Sequence, residues 1–119
     1  MRDHRKLRAF ELADCLVLSN YAATKSSPKD EQFGLTSQLR RAAVSIASNI
    51  VEGCARNSQA DYLRLLDMAF GSVREVEYQL TIAERLGYIP REAAGKLASQ
   101  ADETARVLAG LLKSLRRDE

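Results

Sequence analysis

The segment "DYLRLLDMAFGSVREVEYQLTIAERLGYI", residues 61–89, carries the most regular pattern in the chain. Its apolar residues recur at alternating steps of four and three, which places them in one stripe along a helix. A repeat that averages about 3.5 residues is typical of helices that pack against each other at shallow angles. The stripe consists of Tyr62, Leu66, Ala69, Val73, Val76, Leu80 and Ala83.

Three further segments show the same periodicity, so the sequence predicts four helices, with bounds of roughly 8–25, 36–55, 58–86 and 90–116. The joints between them are short, and short joints make consecutive helices antiparallel. We therefore expect an all-α fold, an antiparallel up-down-up-down four-helix bundle that forms one domain over residues 1–119. The other stripes are Phe10, Ala13, Val17, Asn20 or Tyr21, and Thr24 in the first helix, Leu39, Ala43, Ile46, Ile50 and Gly53 in the second, and Ala94, Leu97, Ala101, Thr104, Leu108, Leu111 and Leu115 in the fourth.

Residues with special backbone roles lie where these helices are expected to begin and end. Thr36 is a candidate N-cap for the second helix, and Ser58 with Asp61 forms a capping-box variant for the third. Gly87 suits the left-handed residue that ends a helix, and Pro90 suits a first helical position. Six further apolar residues lie partly off the stripes, namely Leu12, Leu16, Leu63, Phe70, Val107 and Leu112. They indicate either a wide core-facing surface or a second surface buried in an oligomer.

The charges are nearly balanced, since 18 Lys and Arg residues against 16 Asp and Glu residues give a formal net charge of +2. This total does not by itself indicate nucleic-acid binding. The basic residues at the chain ends are either solvated tails or contacts to phosphate. They are Arg2, Arg5, Lys6 and Arg8 at one end and Lys113, Arg116 and Arg117 at the other.

The two cysteines, Cys15 and Cys54, are far apart in the sequence and lack metal-ligand spacing, which favours free thiols in a reducing compartment. The chain shows no secretory signal and no apolar run long enough to span a bilayer. We therefore expect a cytoplasmic protein without membrane association.

Small polar residues interrupt the apolar pattern of the second helix, within "RRAAVSIASNIVEG", residues 40–53. We predict that the Asn49 amide, the serines and Glu75 hydrogen-bond across the interface of the second and third helices. Gly71, which lacks a side chain, is expected to let another backbone approach closely. The predicted structural network is Ser45, Asn49, Glu52, Gly71, Ser72 and Glu75.

No pattern in the sequence predicts a catalytic site. Glu52 and Glu75 are two carboxylates on adjacent helices, but di-metal bundles also use Glu-x-x-His pairs, and the one histidine, His4, lies outside the predicted helices. Neither cysteine has a base close in sequence, and glycine-rich phosphate loops are absent. We therefore expect a protein that is not an enzyme and that uses no metal, no cofactor and no small-molecule substrate.

The polar positions of residues 33–89 resemble those of a known family. Gln38, an Arg pair, and then Ser-Ile, Asn-Ile and Glu-Gly dipeptides are followed by Gly-Ser, by a Glu three residues after that Ser, and by a closing Leu-Gly-Tyr-Ile. This pattern resembles the bacterial four-helix-bundle proteins that are encoded in intervening sequences of large-subunit ribosomal RNA genes. The accessory variability proteins of diversity-generating retroelements are similar to that family. The matching residues are Gln38, Arg40, Arg41, Ser45, Ile46, Asn49, Ile50, Glu52, Gly53, Gly71, Ser72, Glu75, Leu86, Gly87, Tyr88 and Ile89.

The resemblance implies a protein that assembles into a ring, a homopentamer, and that has no enzymatic activity. It also implies association with RNA or DNA, or with a ribonucleoprotein partner such as a reverse transcriptase. The candidate nucleic-acid contacts are Arg40, Arg41, Arg56 and Arg64, near the joint of the second and third helices or along their polar faces, with Arg2, Arg5, Lys6 and Arg8.

Two alternatives remain open from the sequence. Arg41 and Arg56 either contact phosphate or pair with Glu52, Asp61 or Asp67. The protein is either a nucleic-acid or ribonucleoprotein accessory factor or a protein–protein interaction scaffold without nucleic-acid binding.

Overall fold

The structure, a computed structural model, describes residues 2–31 and 33–118. Within these residues the chain forms four α-helices and no strand. The prediction of an all-α four-helix bundle is confirmed. Helix α1 spans Arg8–Ala23, α2 spans Leu35–Cys54, α3 spans Gln59–Arg85 and α4 spans Arg91–Arg117, and short 3₁₀ turns at His4–Lys6 and Lys29–Glu31 precede α1 and α2.

The helices form a ring of neighbours around the core. Helix α2 packs against α1 and α3, and α4 packs against α3 and α1. The bundle measures 45 by 22 by 19 Å. One end, here called the joint end, holds the α2–α3 joint, the start of α1 and the end of α4. The opposite loop end holds the α1–α2 loop and the α3–α4 joint, which are linked by a hydrogen bond of 3.2 Å from the Ser27 hydroxyl to the Tyr88 carbonyl.

The α3 stripe forms the centre of the core. All seven of its predicted residues are buried, and the four from Leu66 to Val76 have no exposed surface. All five predicted residues of the α2 stripe are buried as well. Complete burial of a Leu, Ile or Val side chain contributes about 1.5–3 kcal/mol. The two facing stripes therefore hold α2 to α3 mainly through the hydrophobic effect.

The buried face of α1 is shifted by one residue from the predicted stripe at two positions. Ala9 and Leu16 are buried, whereas Phe10 and Val17 are only half-buried. Helix α1 contacts both α2 and α4, so its buried face is centred between two neighbours and is wider than one stripe. The same shift occurs late in α4, where Leu112 is buried and Leu111 is half-buried. Of the six apolar residues beside the predicted stripes, Leu16, Leu63 and Leu112 are buried within the chain, and Leu12, Phe70 and Val107 are half-buried. The wide apolar surface therefore serves the core at the three buried positions.

A polar side chain also lies inside the α1 contact. Asn20 has no exposed surface, and neither its Oδ1 nor its Nδ2 has a hydrogen-bond partner among the described residues. The main-chain carbonyl of Asn20 accepts a hydrogen bond of 2.8 Å from the Thr24 hydroxyl. A buried polar group without a partner costs about 1–3 kcal/mol, so Asn20 lowers the stability that α1 packing provides.

The N-terminal cap of α2 is not the predicted one. Gly34 is the N-cap residue, and Thr36 lies inside the helix. Glu31 replaces a capping hydroxyl, because its Oε2 accepts a hydrogen bond of 2.8 Å from the Leu35 N–H. A carboxylate at this position also interacts favourably with the helix dipole. The Ser58 cap of α3 is confirmed, since its hydroxyl accepts a hydrogen bond of 3.1 Å from the Asp61 N–H.

The end of α3 follows the prediction from Gly87. This residue has a φ of 74°, in the left-handed region. The Tyr88 N–H donates to the Ala83 carbonyl at 2.9 Å, and the Gly87 N–H donates to the Glu84 carbonyl at 3.0 Å. This pair of bonds is the Schellman motif. Pro90 is the N-cap of α4 and not its first helical residue.

Of these two glycines, it is Gly53 and not Gly71 that lies close to the neighbouring helix. A Cβ at Gly53 would lie 3.2 Å from Tyr62 Cδ1 and 3.3 Å from Leu65 Cβ. A Cβ at Gly71 would meet nothing within 4 Å, and Gly71 is exposed. The expectation that Gly71 admits a neighbouring backbone is therefore wrong within this chain, because Gly71 lies on the outer side of α3.

A pair of Gly→Ala substitutions separates these two positions. Gly71→Ala is expected to raise the free energy of unfolding by about 0.5–1 kcal/mol, because alanine is the better helix former and the site is open. Gly53→Ala is expected to bring no gain, because its methyl group presses on Tyr62 and Leu65. Urea unfolding measures both values, and equal stabilisation at the two sites would contradict the close approach at Gly53.

Candidate nucleic-acid interface

A serine pair joins α2 and α3 through a hydrogen bond. Ser45 Oγ and Ser72 Oγ lie 3.0 Å apart in a half-buried position. Asn49 Nδ2 donates to the Ser45 carbonyl at 2.9 Å and to Ser45 Oγ at 3.0 Å. The predicted polar contact between the helices is therefore present, but the two serines make it. The Asn49 amide acts one turn away, by holding the Ser45 hydroxyl in place.

The two glutamates of the predicted network do not cross the interface. Glu75 is exposed, and its Oε2 accepts a hydrogen bond of 3.2 Å from Gln79 Nε2 on the same helix. Glu52 is also exposed, and no hydrogen bond of its side chain is found among the described residues. A carboxylate keeps its hydration at such positions and does not incur the cost of burial. Glu52 and Glu75 are therefore surface residues of this chain.

The serine pair provides a measurable coupling. In a double-mutant cycle, Ser45→Ala and Ser72→Ala are expected to interact by about 0.5–1.5 kcal/mol, the net value of one hydrogen bond. Urea unfolding of the two single variants and the double variant gives this coupling energy. The matched control pairs Ser72→Ala with Ser48→Ala, because Ser48 lies on the same helix as Ser45 but is exposed. A coupling no larger than that of the control would show that the serine contact adds nothing.

Arg2 fixes the N-terminal segment to the joint end. Its guanidinium carbon lies 3.9 Å from the centroid of the Tyr62 ring. Nη1 donates to the Arg56 carbonyl at 3.1 Å, and Nη2 donates to Gln59 Oε1 at 2.8 Å. Arg2 is thus a packing residue at the α2–α3 joint, and its charge is largely committed to the protein.

The thiol and phenol beneath Arg2 are core groups. Cys54 is 1% exposed and Tyr62 is 3% exposed. Burial, with the adjacent Cys54 thiol, raises the pKa of Tyr62 to about 12. Burial also raises the pKa of the Cys54 thiol. Both groups stay neutral at neutral pH, so neither has the character of an activated nucleophile.

Three of the candidate arginines have acidic partners at the surface. Arg5 Nε lies 3.0 Å from Asp3 Oδ1, and Arg64 Nε lies 3.7 Å from Asp61 Oδ1. Arg8 forms an ion pair with Glu103 that links α1 to α4. All three guanidinium groups are more than half exposed. Exposed ion pairs contribute only about 0–1 kcal/mol, so a phosphate competes with these carboxylates at small cost.

Three other candidates are exposed and have no carboxylate within 4.0 Å among the described residues. They are Lys6, Arg41 and Arg56. The alternative pairings of Arg41 and Arg56 are therefore not formed in the described part of the chain. Asp61 instead pairs with Arg64, and Asp67 pairs with Arg116.

The candidate arginines do not form one patch. Arg40 lies in the second turn of α2 and Arg56 lies two residues beyond its end, so helical rise separates them by about 24 Å. Arg40 Nε donates to the Thr24 hydroxyl at the end of α1 at 2.8 Å, and Arg41 lines a cleft with Glu75. Of the two expected placements, near the joint or along the polar faces of α2 and α3, the first applies to Arg56 and Arg64.

The middle of the bundle carries charges of both signs. Arg74 and Arg106 pair with Glu77 and Asp102 on their own helices. Arg41 lines a cleft with Ser45 and Glu75 between α2 and α3. The exposed cations are therefore distributed along the bundle, and those near its middle lie beside carboxylates.

The described residues contain no group of three or more His, Cys, Asp or Glu side chains arranged to hold a metal ion. None of the helices they form has the length and apolarity needed to cross a bilayer.

A family model described as "23S rRNA-intervening sequence protein" matches residues 5–110. The chain belongs to the 23S rRNA-intervening sequence protein family. This match confirms the resemblance seen in the polar positions of α2 and α3. The family description names no catalytic activity. No curated protein matches the chain.

A solved structure has the same fold. It is a protein of unknown function from the S23 ribosomal protein family of Bacteroides thetaiotaomicron, with a TM-score of 0.81 and 24% sequence identity. The alignment covers 88% of this chain and 95% of that chain. At this identity the likeness concerns the fold, and it extends over nearly the whole bundle.

In this member of the 23S rRNA-intervening sequence protein family, two further lysines lie beside Arg40. Lys25 and Lys29 line a cleft together with Arg40 at the loop end. They are absent from the candidates that the sequence provides, because they stand in a loop and are separated from Arg40 by more than ten residues. The available signal is that two lysines flank Pro28 in a polar loop directly before α2.

Proposed function

We propose that this protein is a non-enzymatic accessory factor that associates with RNA, or with a ribonucleoprotein, through its exposed basic residues. One observation carries the proposal: Lys6 and Arg56 at the joint end and Arg41 on α2 are exposed and without carboxylate partners within 4.0 Å among the described residues. Membership of a family named for intervening sequences of 23S rRNA supports RNA as the nucleic acid.

The candidate residues differ in how readily they can bind a phosphate. Lys6, Arg41 and Arg56 present their charge directly to solvent, and Arg5, Arg8 and Arg64 become available by exchange of an exposed ion pair. Arg2 contributes mainly by placing the N-terminal segment next to Arg56. Contacts of this kind are made to the phosphate backbone, so binding is expected to be insensitive to base sequence and to weaken with salt.

The first experiment compares the salt dependence of RNA binding. Lys6→Gln combined with Arg56→Gln is expected to reduce the slope of log K against log salt by about 0.7 for each single-strand phosphate that the variant no longer neutralises. The control, Arg74→Gln combined with Arg106→Gln, removes the same charge from two arginines that pair with carboxylates on their own helices, and it is expected to leave the slope unchanged. Fluorescence anisotropy with labelled oligouridylate, and with DNA of the same length, measures K.

Two outcomes of that experiment would contradict the proposal. Equal slopes for the joint-end variant and for the Arg74→Gln, Arg106→Gln control would show that Lys6 and Arg56 make no phosphate contact. Absence of salt-dependent binding to either nucleic acid by the unsubstituted protein would favour the protein–protein scaffold.

We further propose that the protein acts as a homo-oligomer, with the homopentameric ring of the resemblance as the expected form. The supporting observation is an apolar strip on the outer side of α1 and α2. Leu18 is 66% exposed, and Tyr21 stands beside Arg40 with its ring centroid 4.5 Å from the guanidinium carbon. Antiparallel pairing then places Leu18 level with Val44, one turn further along α2. Val51, two turns beyond Val44, is exposed on the same face.

A ring would strengthen RNA binding without any new type of contact. A ring repeats the exposed basic residues of each chain and so multiplies the number of phosphate contacts. Affinity rises steeply with that number. The modest net charge of one chain then suffices for a strong local field.

The strip is tested by the mass of the protein in solution. Light scattering is expected to give about five times the chain mass of 13.2 kDa, because burial of exposed apolar side chains favours association. Leu18→Gln with Val44→Gln is expected to shift the mass towards that of one chain. Leu86→Gln is the control, because Leu86 is exposed at the loop end away from the strip. A single-chain mass for the unsubstituted protein at all concentrations would contradict the proposal.

The scaffold alternative also has a specific surface. A groove of about 550 Å³ between α3 and α4 at the joint end is lined by Asp67, Phe70, Ala109, Leu112, Lys113, Arg116 and Arg117. Its apolar floor and basic rim suit an amphipathic helix with acidic flanks. A reverse transcriptase or another ribonucleoprotein protein is the partner class that the resemblance implies. Such partners place the protein in the cytoplasm of a bacterium, where free thiols such as Cys15 persist.

A further inference from the structure

A polar cleft lies at the loop end, between the end of α1, the α1–α2 loop and the first turns of α2. Its volume is about 280 Å³. Pockets for drug-sized ligands measure roughly 300–1,000 Å³, so this cleft suits one small polar group. Its lining residues are Thr24, Lys25, Ser27, Pro28, Lys29, Thr36 and Arg40.

The charge of the cleft is positive. Lys25, Lys29 and Arg40 line it, and none has a carboxylate within 4.0 Å among the described residues. Asp30 adjoins Lys29 in sequence but is exposed and does not line the cleft. The Glu31 carboxylate is occupied elsewhere, since it accepts hydrogen bonds from the Leu35 N–H at 2.8 Å and from the Tyr88 hydroxyl at 3.3 Å. Three cations without a counter-charge favour an anionic ligand.

Arg40 is held in a fixed orientation. Its Nε donates to the Thr24 hydroxyl at 2.8 Å, and its guanidinium carbon lies 4.5 Å from the centroid of the Tyr21 ring. The Thr24 hydroxyl in turn donates to the Asn20 carbonyl at 2.8 Å. These contacts use Nε and leave the two terminal nitrogens of Arg40 for a ligand. A planar, oriented guanidinium is the group that binds phosphate through two parallel hydrogen bonds.

A threonine hydroxyl adds a neutral donor to the lining. Thr36 lines the cleft and is 8% exposed. It stands in the first turn of α2, where the helix dipole favours negative charge. Thr36 therefore borders the same cleft as the three cations.

We propose that this cleft binds one phosphate group, through Arg40, Lys25, Lys29 and the Thr36 hydroxyl. The site deepens the proposed nucleic-acid association, and it rests on that proposal only for the source of the phosphate, a terminal or an internal phosphate of a strand. It assigns a discrete phosphate-binding site to the loop end, separate from the general basic surface of the joint end.

Inorganic phosphate tests the cleft without any nucleic acid. In ¹H–¹⁵N NMR titrations against sodium chloride of equal ionic strength, phosphate is expected to shift the amide signals of Thr24, Lys25, Lys29 and Thr36. Lys25→Gln with Lys29→Gln is expected to weaken phosphate binding at least tenfold. The control, Arg91→Gln with Lys96→Gln, removes the same charge from the adjacent start of α4 and is expected to change affinity less than twofold.

Thr36→Val separates ligand binding from folding. The substitution keeps the shape of the side chain and removes only the hydroxyl, and thermal unfolding of the variant checks that the fold is retained. Phosphate affinity is expected to fall about threefold. No phosphate binding by the unsubstituted protein, shifts confined to residues outside the cleft, or equal weakening in the cleft and control variants would each overturn the proposal.

Short oligouridylates identify the source. Tighter binding of a 5′-phosphorylated strand than of its unphosphorylated form assigns the cleft to a terminal phosphate. Equal binding of both strands, with competition by inorganic phosphate, assigns it to an internal one. The joint-end variant Lys6→Gln with Arg56→Gln retains phosphate binding in either case, so failure of the joint-end contacts is distinguished from failure of the cleft.

Discussion

At Gly53 the backbone of α2 lies so close to α3 that a side chain would press on Tyr62 and Leu65. This contact fixes how the two helices stand relative to each other, because interiors packed this closely tolerate little change in volume. Tyr62 is held beneath it and presents its ring to Arg2. Arg2 then binds Arg56 and Gln59 and folds the N-terminal segment over the α2–α3 joint. The arrangement of basic residues at the joint end thus depends on the absence of one side chain in the core.

Further along the same interface, two serines form a hydrogen bond between α2 and α3. Apolar burial makes this interface strong but is not directional, whereas the hydrogen bond requires a specific alignment of the two helices. Ser45 and Ser72 are small enough to meet between the helices, and Asn49 holds the Ser45 hydroxyl. The polar residues of α2 and α3 are therefore mainly structural on their inner side. On the outer side, the same helices carry hydrated carboxylates and arginines. Packing residues and hydrated surface residues therefore lie within one turn of each other on the same helix.

The fold was predictable from the sequence because burial repeats with the helical period. The stripes of α2 and α3, the Ser58 cap and the left-handed Gly87 all follow from local chemistry, and the structure agrees with each. Local chemistry does not determine which residue meets a second element. Thr36 satisfies the rules for a cap, but Glu31 caps the start of α2 from outside the helix. The sequence does not distinguish Gly53 from Gly71, because only the packing of α2 against α3 shows which of them lies at a close contact.

The candidate site was less predictable for a related reason. A set of arginines in a sequence contains no distances, so the sequence does not show that about 24 Å of helix separates Arg40 from Arg56. Lys25 and Lys29 join Arg40 only because the chain reverses direction between α1 and α2. Family membership then narrows the class of partner, while the positions of the cations without carboxylate partners determine where that partner can bind.

The buried amide of Asn20 has a consequence for motion. Local opening of the last turns of α1 returns this amide to water and restores its hydration, whereas opening of the apolar α2–α3 contact recovers nothing comparable. Local unfolding is therefore expected to begin in the last turns of α1, next to the loop that carries Lys25 and Lys29. Amide hydrogens there exchange earlier than those of α3, and an anion that bridges α1 to α2 would slow that exchange.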